Sequence, residues 1–425
     1  MGQRERPRVV VTGIGLKTPA GLTTECFWDT VLAARPTAAR VTLFDASEHS
    51  VDFGCEVRDF DPVPYVGEKE VRRTDRATLL GLAAATDAII DAGGDVGAPG
   101  EPGEHVADQL AADPQRRAVV AGSGVGGIRS LEDQVIQYAS RGPSRTSPFL
   151  VPMMMANATA ATIAMHRGWT GPNLAIATAC ATGANAIGEG ARLIRDDLAD
   201  VVVCGGTEAS VSPVAMAAFA RMGALSRNPN PSKASRPFDV DRDGFVMGEG
   251  AGFMVLEALE HAVDRGASIH GELLGYAMTC DAHHITAPLD DGAGAASCME
   301  LALADAELQA SAIGHVNAHG TSTPQNDAAE AAALAKVFGE GAIPITSTKG
   351  VTGHLIGAAG AVEAITALLA VGEGVVPPTA NHHRCDLPVD VVSGAPRVVD
   401  PAPAVSSSFA FGGHNVALVI GPPPD

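Results

Sequence analysis

Three reactive side chains each follow an apolar, strand-like segment and stand beside glycines. Cys180 comes after residues 174–177 and before a small-residue, helix-like run, while His319 and His354 stand at comparable turns farther along the chain. The first N–H groups of a helix lack partners and carry partial positive charge, so we expect a lowered pKa and a nucleophilic thiolate at Cys180. Neutral imidazoles donate hydrogen bonds to carbonyl oxygens or move protons near neutral pH.

Each of these residues also has a structural interpretation. A free cysteine is often packed in a core, and a single histidine at a strand end is more often structural than catalytic. One cysteine and two histidines at such turns together favour a catalytic group. Lys349 lies shortly before His354, and Glu330 lies on the predicted helix after His319. A Lys349–Glu330 pair would set charge and orientation around the imidazoles, and a purely structural ion pair is the alternative.

The elements that must position these residues alternate between strands and helices, which indicates parallel α/β layers. Strands that end near glycine or polar residues are predicted in two series, at 8–15, 118–127 and 200–206 and then at 315–320, 345–350 and 405–415. The second series repeats the order of strands and motifs in the first series, although only approximately. We therefore predict two related halves, residues 1–267 and residues 268–425.

Composition argues against several classes of protein. The chain has 425 residues and a net charge of −20, so we expect no nucleic-acid binding. We see no unbroken apolar run long enough to span a membrane, and the first six residues lack the apolar core of a signal peptide. The seven cysteines lack the spacing of a disulfide framework or a metal site. We expect a cytoplasmic protein without a bound metal.

A basic cluster stands out in this acidic chain. It contains Lys69, Arg72 and Arg73 and leads into an apolar helix that begins at Ala77. The cluster is either an ordinary solvated helix face or a local site for an acidic partner.

Together the motifs resemble those of the β-ketoacyl-acyl-carrier-protein synthases, which are condensing enzymes with a thiolase-like fold. The resemblance runs from about residue 8 to residue 421 and is closest to the elongating branch of fatty-acid synthase II enzymes and type II polyketide ketosynthases. The initiating branch carries asparagine where this chain has His354. The matching segments are Thr-Ala-Cys at 178–180, Arg-Pro-Phe-Asp at 236–239, 244–250, Asn-Ala-His-Gly-Thr-Ser-Thr-Pro at 317–324, Ser-Thr-Lys-Gly-Val-Thr-Gly-His at 347–354, and 409–415.

The resemblance implies an αβαβα sandwich and a two-step Claisen condensation without a bound cofactor. Cys180 would accept an acyl group from the phosphopantetheine of an acyl-carrier protein. His319 and His354 would then hold malonyl-carrier protein and stabilise the enolate as carbon dioxide leaves. The carbanion would attack the acyl-cysteine, and the N–H groups of Cys180 and Phe411 would form the oxyanion hole.

The resemblance also implies roles for other residues. Phe411 would gate the acyl pocket. The remaining matches are Thr321 and Thr323 on the pantetheine arm, Val125 and Phe219 in the acyl pocket, and Lys69, Arg72 and Arg73 facing the acidic carrier protein. A local positive spot on an acidic body steers such a partner.

Two departures from the family pattern concern the gate and the pathway. Ala410 stands where elongating enzymes usually have glycine, and we expect its Cβ to stiffen or reshape the gate. Residues 325–327 read Gln-Asn-Asp, as in polyketide enzymes, whereas 236–250 and 347–354 are more similar to the fatty-acid enzymes.

The state of assembly and two other functions stay open. The resemblance implies a dimer through residues 173–179, with Met153–Met155 approaching the partner's acyl pocket. The partner is either a second copy or a chain-length factor that the enzyme requires for activity. A thiolase and a non-catalytic docking subunit are further alternatives, although residues 411–414 lack a thiolase's second cysteine.

Overall fold

The computed structural model describes residues 6–94 and 110–424 of the chain. Most of the segment tested for a signal peptide, residues 1–5, lies outside these ranges. The strands are β1 (Val9–Lys17), β2 (Ala39–Arg40), β3 (Phe53–Gly54), β4 (Arg117–Gly122), β5 (Asn173–Ile176), β6 (Val201–Glu208), β7 (Gly250–Ala258), β8 (Gly271–Cys280), β9 (His315–Asn317), β10 (Pro344–Thr346), β11 (Val375–Val376), β12 (Asp390–Val391), β13 (Arg397–Val398), β14 (Ala404–Ala410) and β15 (His414–Gly421).

Helices connect most of these strands. Short 3-10 turns precede two of the helices, at Ala179–Ala181 and Ile356–Ala358. The helices are α1 (Thr24–Leu32), α2 (Val63–Val71), α3 (Arg76–Asp91), α4 (Ile128–Arg141), α5 (Leu150–Met154), α6 (Ala158–Arg167), α7 (Thr182–Arg195), α8 (Pro213–Met222), α9 (Leu259–Asp264), α10 (Ala293–Asp305), α11 (Pro324–Phe338), α12 (Lys349–Thr352) and α13 (Ala359–Glu373).

The strand order is the same in the two halves of the chain. In the first half β5, β4 and β6 run parallel, and β7 runs antiparallel to both β6 and β1. In the second half β10, β9 and β14 run parallel, and β15 runs antiparallel to both β14 and β8. A short pairing between β1 and β8 joins the halves into one sheet. The repeated topology matches the predicted duplication, and the predicted boundary between residues 267 and 268 falls in the loop between α9 and β8.

Three helix layers alternate with the two half-sheets. Helices α3 and α6 cover the outer face of the first half, α10 and α11 cover that of the second, and α7 and α13 lie between them. In β6 the side chains of Val201 and Val203 join the outer core, whereas Val202 and Cys204 join the middle core. A strand that is buried on both faces has apolar residues at successive positions. For this reason apolar and polar residues do not alternate along β6. The predicted αβαβα sandwich is confirmed.

Helices α7 and α13 touch through glycines in their first turns. A Cβ on Gly183 would lie 2.6 Å from the backbone nitrogen of Ala361, and one on Gly360 would lie 2.8 Å from that of Ala184. Such distances leave no space for a side chain, so the two backbones make direct contact. The close approach brings together the turns that carry Cys180 and His354.

The most apolar helical stretch of the described residues belongs to this middle layer. The 18-residue window Ile356–Glu373 has a mean hydropathy of 1.5, long and apolar enough by length and composition to cross a membrane. However, 83% of the window is buried inside the protein. The window is not an unbroken apolar run, because Glu363 interrupts it.

Alanine at Gly183 should destabilise the fold, because its Cβ must push the α13 backbone away. We expect a loss of about 1–3 kcal/mol in the free energy of unfolding, typical of an overpacked core. Denaturant titration followed by circular dichroism measures this loss.

Gly372 provides the matched control on α13. It is exposed, and no heavy atom lies within 4 Å of the position that a Cβ would take there. Alanine at this position should stabilise the protein by about 0.4–1 kcal/mol, since it restricts the unfolded chain. Equal shifts for the two variants would contradict the close packing of α7 and α13.

Candidate active site

One cavity brings together side chains from both halves of the chain. It has a volume of about 550 Å³, and Cys180, His319 and His354 all line it. The three predicted reactive residues therefore share one space, although they lie up to 174 positions apart in the chain (354 − 180). The predicted substrate-binding residues Thr321, Thr323, Val125 and Phe219 also line the cavity. Phe411, the predicted gate and oxyanion-hole residue, lines it as well.

The turn that carries Cys180 is strained and tightly bonded. Ala179 has a φ of 49°, a left-handed conformation that alanine rarely adopts. The hydroxyl of Thr182 accepts from the N–H of Thr178 at 2.9 Å and closes the turn. The backbone N–H of Phe411 lies near the Cys180 sulfur and lowers the pKa of its thiol.

The predicted lowering of the Cys180 pKa is wrong for the resting structure. Cys180 is only 8% exposed, and burial raises the pKa of its thiol to about 12. The charge of Lys349 and the Phe411 N–H lower the pKa, but by less than burial raises it. The resting group is therefore a thiol, because loss of solvent disfavours the thiolate more than these groups favour it.

Both histidines are neutral and present the same tautomer. Burial, the charge of Lys349 and, for His319, the neighbouring His354 hold the pKa of each imidazole well below its usual value. Nδ1 of His354 accepts from the N–H of Ile356 at 3.2 Å. Nδ1 of His319 lies 3.2 Å from the Lys349 ammonium, which can only donate. The proton of each ring is therefore on Nε2, so each ring has one free donor.

Lys349 is held by three acceptors deep in the protein. Its side chain is 1% exposed and donates to Nδ1 and the carbonyl of His319 and to the carboxylate of Glu363. The predicted ion pair between Lys349 and Glu330 is wrong. Lys349 instead forms its salt bridge with Glu363, a residue of α13. Burial raises the pKa of Glu363 to about 7, and the Lys349 charge opposes that rise.

Glu330 acts on the backbone of the His319 turn instead. Its carboxylate accepts from the N–H groups of His319 and Gly320, each at 2.7 Å, and from the hydroxyl of Ser407 at 3.0 Å. Burial raises its pKa to about 7. Glu330 thus fixes the position of His319 without touching the imidazole ring.

The proposed pantetheine and acyl-pocket residues lie on different walls of the cavity. The hydroxyls of Thr321 and Thr323 are 2.8 Å apart, just before α11. Phe219 packs edge-on against Phe245 at 5.5 Å between ring centroids, and Phe245 packs edge-on against His354 at 5.3 Å. An aromatic stack therefore connects the predicted acyl pocket to the second histidine.

Ala410 is accommodated in regular backbone. It is the last residue of β14 and pairs with His414 across the hairpin. The positive φ values of the turn fall on Gly412 and Gly413, at 85° and 75°. The strand therefore does not require a glycine at position 410.

The predicted docking residues lie on the surface and not in the cavity. Lys69 and Arg72, in and just after α2, are exposed. Arg73 is half-buried, lies over the ring of Phe149 at 4.7 Å and is 3.7 Å from Glu70. The free basic surface of this cluster is therefore mainly Lys69 and Arg72.

The sequence analysis missed two buried carboxylates. Glu363 binds Lys349, and Glu208 binds the loops on either side of the cavity. Both carry a recognisable signal, since each is an isolated acidic residue in or at the end of an otherwise apolar element.

A thiol beside neutral Nε2–H donors, at the contact of two duplicated halves, is the arrangement of an acyl-transferring condensing enzyme with a thiolase-like fold. Residues 6–262 match the family described as beta-ketoacyl synthase, N-terminal domain, and residues 270–383 match the C-terminal domain. The chain belongs to the β-ketoacyl synthase family.

Named relatives cover nearly the whole chain. The chain is 46% identical to the 3-oxoacyl-(acyl-carrier-protein) synthase 2 of Synechocystis sp., over 99% of both sequences. It is 43% identical to the enzyme of the same name from Vibrio harveyi, over 97% of this chain and 98% of the relative. The solved structure of the ishigamide ketosynthase/chain length factor superposes with a TM-score of 0.89 at 35% identity, over 99% of this chain and 100% of that chain.

Replacing Lys349 by methionine should make stability depend strongly on pH. The pKa of Glu363 is about 7 in the folded protein against 4.5 as the reference value, so its ionisation destabilises the fold as pH rises through this window. Without the cation the pKa rises further. We expect a loss of about 3–5 kcal/mol near pH 8 and a smaller loss near pH 5, measured by urea unfolding.

The double variant Lys349→Met/Glu363→Gln is the control. It removes the ionisable group as well as its partner, so the extra loss at high pH should disappear. A Lys349→Met variant whose stability loss is the same at both pH values would contradict the assignment of this pair.

Proposed function

We propose that this chain elongates acyl groups by decarboxylative Claisen condensation of an acyl-Cys180 intermediate with malonyl-acyl-carrier protein. The product is a β-ketoacyl-carrier protein of fatty-acid or type II polyketide synthesis. The observation that carries the proposal is the cavity in which Cys180 meets two neutral histidines with free Nε2–H groups. The names of the two relatives support it.

The first step is acyl transfer to the sulfur. Cys180 attacks the thioester of an acyl-carrier protein, its sulfur–carbon bond forms, and the pantetheine sulfur leaves. The proton of the Cys180 thiol leaves with the pantetheine thiol, so no external acid or base is consumed. The N–H of Phe411 and the nearby Lys349 charge favour the transient thiolate.

The second step is decarboxylation and carbon–carbon bond formation. The Nε2–H groups of His319 and His354 hold the malonyl thioester oxygen, and carbon dioxide leaves its electron pair in the enolate. The enolate carbon attacks the acyl carbonyl, whose oxygen takes up charge between the N–H groups of Cys180 and Phe411. The Cys180 sulfur then departs as a thiolate and takes up a proton from solvent, which restores the thiol. Phe411 thereby supplies both a donor and the gate at the acyl pocket.

The carrier protein would approach over the exposed Lys69 and Arg72, with the half-buried Arg73 beside them. Its pantetheine arm would reach the sulfur past Thr321 and Thr323. Substrates on this arm need no cofactor bound to the enzyme itself. We also propose a cytoplasmic location, which the seven free cysteines support.

We propose a dimer through the free edge of β5. Among the described strands β5 pairs with β4 alone, and its residues are largely exposed. Helix α4, separated from β5 in the chain by α5 and α6, has no buried residue and carries the exposed Val135, Ile136 and Tyr138. An open sheet edge with exposed apolar side chains is typical of an interface with another protein chain. In this dimer Met153–Met155 would approach the partner's acyl pocket.

The partner across β5 is either a second copy of this chain or a chain-length factor. The ishigamide ketosynthase/chain length factor, among the solved structures similar to this chain, is the observation that favours the second possibility. The chain itself retains Cys180, so it would be the catalytic subunit in either assembly. A thiolase reaction and a purely scaffolding role are less compatible with the cavity.

Replacing Cys180 by alanine should abolish acylation, because no other described cysteine lines the cavity. Incubation with acyl-carrier protein should give a covalent acyl adduct by intact mass in the parent enzyme and in Cys26→Ala, whose cysteine is exposed on α1. An adduct that persists in Cys180→Ala would end the proposal. Extension by the purified chain alone would exclude an obligate chain-length factor.

Reversing charge at the basic cluster should weaken carrier-protein recognition only. For Lys69→Glu/Arg72→Glu we expect KM for acyl-carrier protein to rise about tenfold, with KM for an acyl-pantetheine thioester unchanged, since only the protein partner meets this surface. Lys336→Glu, on the last turn of α11, is the control and should change neither value. Parallel increases for both substrates would argue against docking at α2.

A further inference from the structure

Glu208 is a buried carboxylate that the proposed reaction does not use. It ends β6, is 0% exposed and accepts three hydrogen bonds. The donors are the hydroxyl of Ser123 at 3.1 Å and the N–H groups of Gly124 at 2.8 Å and Gly357 at 3.2 Å. One side chain therefore joins a loop of the first half to a turn of the second half.

Both bonded segments are walls of the cavity. Gly124 and Val125 line it from the loop after β4, and Ile356 lines it from the turn before α13. The segments touch, since a Cβ on Gly357 would lie 2.4 Å from the Gly124 nitrogen. The carboxylate lies at this contact and accepts a hydrogen bond from each of the two walls.

The same turn also holds the second histidine. The N–H of Ile356 donates to Nδ1 of His354 and thereby leaves the free proton on Nε2. Ile356 has a φ of 47°, a strained value for a β-branched residue, so its conformation depends on the surrounding contacts. The adjacent bond from Gly357 to Glu208 is one such contact.

An ion pair does not account for this carboxylate. Within the described ranges Glu208 forms no salt bridge, whereas Glu249 pairs with Arg76 and Glu257 pairs with Arg265. Burial raises the pKa of Glu208 to about 7. The contacts of Glu208 are instead all with groups that shape the cavity.

We propose that Glu208 is a positioning residue that couples the acyl-pocket wall to His354, so that one buried side chain sets both acyl-chain selection and the geometry of decarboxylation. The inference rests on the proposed condensation. It predicts that the two properties change together when the three contacts are lost. Neither Ser123 nor Gly357 can produce this coupling alone, because each bonds only one side of the carboxylate.

Glu208→Met and Glu208→Gln separate the contacts from the charge. Methionine has a similar volume but accepts none of the three bonds. Glutamine can keep all three, since its oxygen accepts from Gly124 and Gly357 while its amide donates to Ser123. Two readouts are measured: kcat/KM for acyl-carrier proteins of increasing chain length, and decarboxylation of malonyl-carrier protein without an acyl primer.

In Glu208→Met we expect the ratio of kcat/KM between the preferred and the next longer acyl chain to fall, and unprimed decarboxylation to slow about tenfold or more, as misplaced groups do. Glu208→Gln should keep both within about twofold of the parent, because it rescues the contacts. Glu257→Gln is the control for a loss of stability alone, and we expect it to lower all rates uniformly with an unchanged chain-length profile. The same pattern in Glu208→Met would overturn the proposal.

If Glu208→Met does not fold, Ser123→Ala tests the proposed coupling instead. It removes one of the two bonds that hold the acyl-pocket wall, keeps the one from Gly124 and leaves the bond from Gly357, so the chain-length profile should change while unprimed decarboxylation stays near the parent rate. An unchanged profile would overturn the coupling. Failure of the condensation itself is distinct, because the parent enzyme would then show no extension of any acyl chain.

Discussion

The direct contact between the first turns of α7 and α13 is the constraint on which the active site depends. Gly183 and Gly360 let the two backbones meet without intervening side chains. Because α7 follows the turn of Cys180 and α13 follows that of His354, this contact sets the nucleophile beside an imidazole from the other half. The repeated strand order places both helices in the middle layer, where duplicated halves make equivalent approaches.

Around this contact the buried ammonium of Lys349 organises neutral donors. The Lys349 ammonium donates hydrogen bonds to the ring and the carbonyl of His319 and to the carboxylate of Glu363. Its charge also helps to keep both imidazoles neutral, with one proton on each ring. Burial raises the pKa of the Glu208, Glu330 and Glu363 carboxyls to about 7, which reduces the negative charge that they carry near neutral pH. Preformed donors in such surroundings stabilise charge that appears only during reaction.

The surface divides into regions with different physical character. The net charge is −20, yet Lys69 in the last turn of α2 and Arg72 just after the helix are both exposed. Exposed apolar side chains lie on α4, and Leu174 is exposed on the open edge of β5. Electrostatic attraction favours transient encounter with an acidic carrier, whereas an apolar sheet edge favours lasting assembly, so the two surfaces suit different partners.

Local patterns were sufficient for the layered fold and for the reactive residues. Apolar strands that are buried on both faces, glycine-rich turns and the second series of motifs identified the duplicated halves, Cys180, His319 and His354. These features depend on neighbours in the chain and so appear in the sequence alone. The partner of Lys349, the protonated state of the thiol and the role of Glu208 depend on burial and on contacts between distant segments. Tertiary structure alone decided them, because desolvation and hydrogen bonding across α7, α13 and the two sheets are set only when the halves meet.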